Sequence, residues 1–120
     1  MADLRKIEPA IEMPDPAYDE IVYRYVDGSD IIFLEKYGIK KRTPKGFWID
    51  YYGTDKFVLG NPQFGKRWAY EDKEIALNSY IVRKRRQIEH AQATINTAQE
   101  HLERALEVKN DTHSRPSKSD

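Results

Sequence analysis

The apolar positions of this chain first recur with a period of two. Ile21, Tyr23 and Tyr25 alternate with Val22, Arg24 and Val26, the spacing of a strand whose successive side chains point to opposite faces. Asp27-Gly28 then supplies a hairpin turn in which glycine accepts the positive φ of the primed turns. Residues 31–37, β-branched and aromatic, predict a second strand; Gly38 is read as a bulge or bend, and residues 39–43 as its continuation. Thr43-Pro44-Lys45-Gly46 fits a type I turn before a third strand over 47–52. Gly53-Thr54-Asp55 turns the chain into Phe57-Val58-Leu59, and a longer loop over 60–65 leads to Arg67-Trp68-Ala69-Tyr70. Short hairpin connections pair neighbouring strands in order, so the expected sheet is a four- to five-stranded antiparallel β-meander. Its expected core is Ile21, Tyr23, Ile31, Phe33, Phe47, Ile49, Phe57 and Trp68, packed against a helix near Leu77 and Ile81.

At Asp72 the period changes. Its carboxylate can cap the free amides of a helix starting near Lys73, and no proline or glycine follows until Pro116, so the helix is expected to reach about Val108. Roughly 36 residues give a rod on the order of 54 Å, longer than a small sheet can cover. Ile75, Ala76, Leu77, Tyr80, Ile81 and Val82 make a wide apolar belt suited to lying on the sheet. Beyond it the stripe narrows. Ile81, Ile88, Ile95 and Leu102 repeat every seven residues, and Leu77, Lys84, Ala91, Ala98 and Ala105 complete an a/d seam broken by Lys84 alone. Such a seam predicts a partner helix, with Ile88, Ala91, Ile95, Ala98, Leu102 and Ala105 as the oligomer interface. A solitary half-exposed helix, or one that folds back, is the alternative. The fold class is therefore α+β, a meander followed by one long C-terminal α-helix with a coiled-coil-like distal half.

The ends lack either periodicity. Residues 1–17 hold Pro9, Pro14 and Pro16 and predict an extended arm. Its Ile7, Ile11 and Met13 could lie along the domain or a neighbouring subunit, the alternative being a disordered leader. Residues 18–108 form one domain, and 109–120, rich in Ser, Asn, Asp and Lys, are expected to be a disordered tail.

Composition narrows the function classes. The chain has 120 residues, 20 Lys plus Arg against 20 Asp plus Glu, and no cysteine. A balanced charge gives no net field toward nucleic acid or membrane, so any electrostatic attraction must be local. Lack of cysteine excludes disulfides and thiolate zinc sites and fits a reducing compartment. No apolar run follows the charged residues at the start, and none approaches the roughly 18 residues of a membrane span, so the expectation is a cytoplasmic protein with no membrane partner.

Catalysis finds little support. His90 and His101 share a helix face about three turns apart, too far to hold one metal, and His113 falls in the tail. No nucleophile motif or phosphate-cradling glycine loop appears, and no carboxylate pair stands out by spacing. The expectation is a non-enzymatic chain without catalytic residues, cofactor or metal. Two basic clusters carry more chemistry. Lys40, Lys41, Arg42 and Lys45 crowd the second strand and its turn, and Arg83-Lys84-Arg85-Arg86 encircles the helix. With Trp48 and other sheet aromatics as stacking faces and Arg67 nearby, the candidate polyanion site comprises Lys40, Lys41, Arg42, Lys45, Trp48, Arg67, Arg83, Arg85 and Arg86. Against it, a four-residue basic run on a helix points in all directions, and sheet aromatics commonly form core.

The series Thr43-Pro44-Lys45-Gly46-Phe47-Trp48-Ile49, then Gly65-Lys66-Arg67-Trp68-Ala69-Tyr70, then Arg83-Lys84-Arg85-Arg86-Gln87-Ile88 resembles small uncharacterised proteins of tailed phages and prophages. The resemblance covers residues 42–88 and rests on turn residues, aromatics and a basic helix segment, so it implies architecture and carries over no site residue. It further implies an accessory protein in the host cytoplasm, acting on a host protein or a nucleotide signal, for example as an anti-defence inhibitor. Fold analogy alone does not establish function. The rival expectation is a nucleic-acid- or nucleotide-binding module built on the basic and aromatic clusters.

Overall fold

A computed structural model describes residues 8–60 and 67–114. Ile7, most of the loop expected over 60–65 and the tail from 115 onward lie outside the described residues. Five strands, β1 (Ala10–Glu12), β2 (Ile21–Asp27), β3 (Ile32–Thr43), β4 (Gly46–Tyr51) and β5 (Thr54–Leu59), precede one helix, α1 (Lys73–Ser114). The class is α+β, as the periodicities imply.

The 12-residue β3 is the spine. Its first half pairs antiparallel with β2, from Asp27↔Ile32 to Ile21↔Gly38, and its second half pairs antiparallel with β4, which pairs in turn with β5. The strand pairs are the expected ones, but the first hairpin closes through a four-residue connection, 28–31, in which Gly28 does not take the positive φ expected of a primed turn. The arm is the correction: β1 pairs parallel with β3, Ala10↔Ile32 to Glu12↔Leu34, so the sheet is mixed rather than a pure meander. Met13 N–H extends the ladder by donating to the Leu34 carbonyl at 3.0 Å, and the Lys36 ammonium ties down Glu12 and Asp15 at 2.6 Å each. A parallel strand has no hairpin turn to announce it, and this one is three residues between prolines.

Gly38 is no bulge. It pairs regularly, and its missing side chain leaves room for the ring of Tyr18: a Cβ there would lie 2.0 Å from a Tyr18 ring carbon. The register shift falls just after it, between Ile39 and Lys41. The Tyr51↔Thr54 pair closes a two-residue turn with positive φ at both Tyr52 (54°) and Gly53 (87°), the primed geometry that matches strand twist.

After β5 the chain does not add a fifth meander strand. Trp68-Ala69-Tyr70 returns to β2, where Tyr23 and Tyr70 exchange both backbone hydrogen bonds, 2.6 and 3.0 Å, in an isolated antiparallel bridge. The bridge sets Ala69 in the core and Trp68 against it. Val22, Tyr37, Ile39, Phe47, Ile49, Val58 and Ala69 form the buried cluster, with Tyr51 and Trp68 packed against it.

Phe47 and Ile49 occupy the core as expected. Ile21, Tyr23, Ile31, Phe33, Phe57 and Trp68 are half-buried instead, and on β2 and β5 the inward residues are Val22 and Val58. Both faces of β2 are apolar because both are covered. The opposite face meets the start of α1: the Tyr25 and Tyr80 rings lie 6.2 Å apart, Tyr80 donates to Asp27 at 2.5 Å, and Tyr70 donates to Ser79 at 3.1 Å. Ala76 and Tyr80 are the buried helix residues, one position before the expected Leu77 and Ile81, which are half-buried. Asp72 caps the helix as its position predicts, accepting from the N–H groups of Glu74 (2.8 Å) and Ile75 (3.3 Å).

The chain divides into two compact units, 1–82 and 83–120. The second is helix throughout its described length and continues past Val108 to Ser114. Residues 109–114 contain neither proline nor glycine, so nothing in the backbone stops the helix there. Among the described residues no helix is long and apolar enough to cross a membrane.

Candidate functional site

The bulge in β3 decides where its basic residues go. Arg42 sends Nε to Glu20 at 3.0 Å and Nη1 to Glu71 at 2.7 Å. Arg67 reaches the same carboxylate, Nη2 to Glu71 Oε1 at 3.3 Å, and its guanidinium lies over Phe47 and Tyr70 at 5.8 and 5.1 Å. Arg67 Nε is buried without a hydrogen-bond partner among the described residues. These hydrogen bonds, Arg42's first, hold the Glu71 carboxyl below the usual carboxylate range, and the Glu20 and Glu71 carboxylates raise Arg42. With Lys45 and the 43–46 turn, these residues line an open cleft of about 640 Å³. Among the described residues its two guanidinium groups face the Glu20 and Glu71 carboxylates, leaving Lys45 as the excess cation.

Lys40 is paired with Asp55 at 2.5 Å, and that hydrogen bond raises its pKa. Lys41 is exposed and stands opposite Trp48 across the β3–β4 ladder; the indole, 38 % exposed, packs on Phe57 at 5.1 Å. The sheet unit thus brings Arg42, Lys45 and Arg67 to one cleft and Lys40, Lys41 and Trp48 to another surface. Arg83, Arg85 and Arg86 are exposed residues of the helical unit. The nine candidate residues do not form one continuous basic surface within either unit, because acidic partners remote in sequence occupy several of them.

On the distal helix, all six interface candidates, Ile88, Ala91, Ile95, Ala98, Leu102 and Ala105, are exposed. Ile88 keeps 66 % of its surface, Ile95 49 % and Leu102 58 %, and Leu106 and Val108 extend the exposed apolar set.

A third group brings together aromatics that the sequence assigns separately to strand and core, and adds Tyr37. Tyr37, Tyr51, Tyr52 and Trp68 cluster, with Tyr37 5.5 Å from Tyr51, 5.9 Å from Tyr52 and 5.3 Å from Trp68. Arg24 and Lys56 place cations 4.4 and 4.8 Å from the centre of the Trp68 ring. Burial, then the hydrogen bond to Glu35, pushes the Tyr37 hydroxyl far above its usual pKa. The available signal was Tyr52-Gly53, a dipeptide at the two positive-φ positions of a hairpin.

Among the described residues no three His, Asp or Glu side chains come together as a metal site. No protein-family model matches the chain, and comparison with curated proteins and with solved structures gives no match.

Proposed function

We propose that this chain is a non-enzymatic binding protein that self-associates by antiparallel pairing of its distal helix and offers its sheet unit to a target. The observation that carries the reading is the exposure, among the described residues, of Ile88, Ile95 and Leu102, large apolar residues at seven-residue spacing on the helix.

Sequence position selects the orientation. A parallel pair would set Arg83, Lys84, Arg85 and Arg86 against their own copies. An antiparallel pair centred near Ala93 brings Arg83 to Glu103 and Arg86 to Glu100. The same register puts Ile88 opposite Ala98 and Ala91 opposite Ile95, large against small, while the Lys84 stem covers Leu102. Each exposed ion pair contributes only about 0 to 1 kcal/mol, so charge chooses direction and the isoleucines supply most of the affinity.

The resemblance of residues 42–88 to tailed-phage proteins supports a host component as the target and anti-defence inhibition as the setting. Nucleic-acid binding is the weaker alternative, since Arg42, Arg67 and Lys40 are ion-paired within the sheet unit.

Sedimentation of the whole chain tests the assembly. Ile95→Asp puts an unpaired charge in the seam and should yield monomer; an unchanged solution mass would mean that this stripe is not the interface. Because the chain lacks cysteine, single-cysteine variants report geometry cleanly. In the antiparallel pair two Ala91 positions lie about 6 Å apart along the axis and two Ala105 positions about 36 Å apart. Ala91→Cys should cross-link and Ala105→Cys should not, whereas comparable cross-linking at both positions would make the pair parallel.

A further inference from the structure

The odd-numbered residues of β3 build one wall of a pocket. Phe33, Glu35 and Tyr37 share a face of the strand, and Met13 and Pro14 of the arm and Tyr52 from the β4–β5 turn complete the enclosure, about 330 Å³ in volume. That size lies at the lower end of the range for small-ligand sites, roughly 300 to 1,000 Å³. The Tyr52 ring stands at 87° to that of Tyr37, with centroids 5.9 Å apart, so two aromatic walls meet at a right angle.

Tyr52 is an unusual choice for its position. Its φ of 54° belongs to the left-handed region that bulky residues rarely adopt, and glycine or asparagine would serve the turn without strain. Burial does not explain the ring, because Tyr52 keeps 75 % of its surface exposed.

Charge then selects the ligand. Lys36 also borders the pocket, but its ammonium is held at 2.6 Å by both Glu12 and Asp15. Glu35 receives a hydrogen bond from the Tyr37 hydroxyl at 2.5 Å and has no ion pair among the described residues. Arg24, opposite Glu35 in the β2–β3 ladder, gives its guanidinium to the Trp68 carbonyl and ring instead. Glu12 is shared with the Lys73 ammonium at 3.2 Å, so these ion pairs lie among Glu12, Asp15, Lys36 and Lys73, and Glu35 is the carboxylate that lines the aromatic pocket without one, an arrangement that favours a weakly hydrated cation able to lie against ring faces.

We infer that the pocket formed by Phe33, Glu35, Tyr37 and Tyr52 binds a small alkylated cation of the trimethylammonium class, with the Tyr37 and Tyr52 rings as walls and Glu35 as counter-charge. The site lies wholly in the sheet unit and is independent of pairing through the distal helix.

Choline and its neutral carbon isostere, 3,3-dimethyl-1-butanol, have the same shape and differ in charge. Titration of the whole chain, followed by NMR shifts of the pocket residues and the Trp68 indole, should show saturable choline binding. The isostere should bind about tenfold more weakly, the scale of a desolvated cation–π contact. Glu35→Gln, which can still accept from Tyr37, should weaken choline and leave the isostere unchanged. Tyr52→Phe should keep binding. Tyr52→Gly suits the turn, remains folded and should lose at least about tenfold in choline affinity as one aromatic wall disappears. Equal affinity for the two probes, choline binding that never saturates, or a Tyr52→Gly protein that binds like the parent would each overturn the assignment.

Discussion

Ile49 and Ile95 are the same residue put to opposite uses. Ile49 sits on β4 between two paired strands with no exposed surface, whereas Ile95 keeps 49 % of its surface in water. The contrast extends to their surroundings. The buried hydrophobic residues all fall between Val22 and Tyr80, and past Lys84 every described side chain is exposed. A strand residue satisfies its apolar surface against neighbours that its own chain supplies through hairpins. A seven-residue repeat on a lone helix has no such neighbours, so its apolar surface is matched by another helix or stays wet.

Alanine at each isoleucine separates the two uses. Ile49→Ala leaves a void in the sheet core and should cost about 2 to 5 kcal/mol at any protein concentration. Ile95→Ala should leave the melting of a dilute sample near the parental value and lower it progressively as concentration rises, because it weakens only what association adds. Paired thermal melts across a wide dilution series read both effects. Loss of stability by Ile95→Ala at high dilution would place that residue in a folded core of its own chain.

Asp72 lies at the start of α1, within the sheet unit, and offers a smaller test. Its carboxylate accepts from two otherwise unpaired amides, so Asp72→Ala should cost about 1 kcal/mol, while Asp72→Ser should recover most of that. Urea melts followed at both the aromatic bands and the helical signal check it. If the cap matters to the sheet unit, both probes shift together; a shift in helicity alone would mean that the first turns of α1 are dispensable to the sheet.

Asp72 was legible because capping is local, chemistry and spacing within three residues. The hairpins were legible for the same reason, each turn being written in adjacent residues. The phase of β2 was not: Ile21, Tyr23 and Tyr25 are as apolar as Val22 and Val26, and the bridge to Tyr70 and the packing of Tyr80 on Tyr25 lie beyond what the spacing of β2 can show, so it did not single out Val22 as the fully buried residue. On β4 the turn geometry left Phe47 and Ile49 facing inward as read. β1 carries no turn and three residues, so its parallel pairing leaves no periodic trace. The basic cluster was legible as a list but not as chemistry, since the carboxylates that neutralise Arg42 stand 22 and 29 residues away. Tyr52 was read as the last residue of the third strand because the turn was placed one residue late, which hid its positive φ.

The smallest effect concerns those remote ion pairs. In an Ile95→Asp background, chosen to remove the proposed association through the helix, the pH dependence of melting should belong to the folded monomer. Three carboxyls of the sheet unit lie below their usual range: Glu71 through hydrogen bonds led by Arg42, Asp50 through the Tyr18 hydroxyl, and Glu12 through Lys36. A depressed carboxyl binds fewer protons in the folded chain than in the unfolded one. Its contribution is therefore complete above the unfolded pKa, about 4, and is lost as pH falls through the lower folded value. Stability should fall with acid below about pH 4, and Glu71→Gln should flatten part of that fall while lowering stability slightly at neutral pH. The Glu71 side chain is 41 % exposed, so screening limits the change to under about 1 kcal/mol. Arg42→Met should flatten the same stretch of the curve, because it removes the leading cause of the shift. If Glu71→Gln and Arg42→Met both leave the acid limb unchanged, the pair positions Arg42 beside Phe47 without contributing to stability, and the acid sensitivity belongs to Asp50 and Glu12.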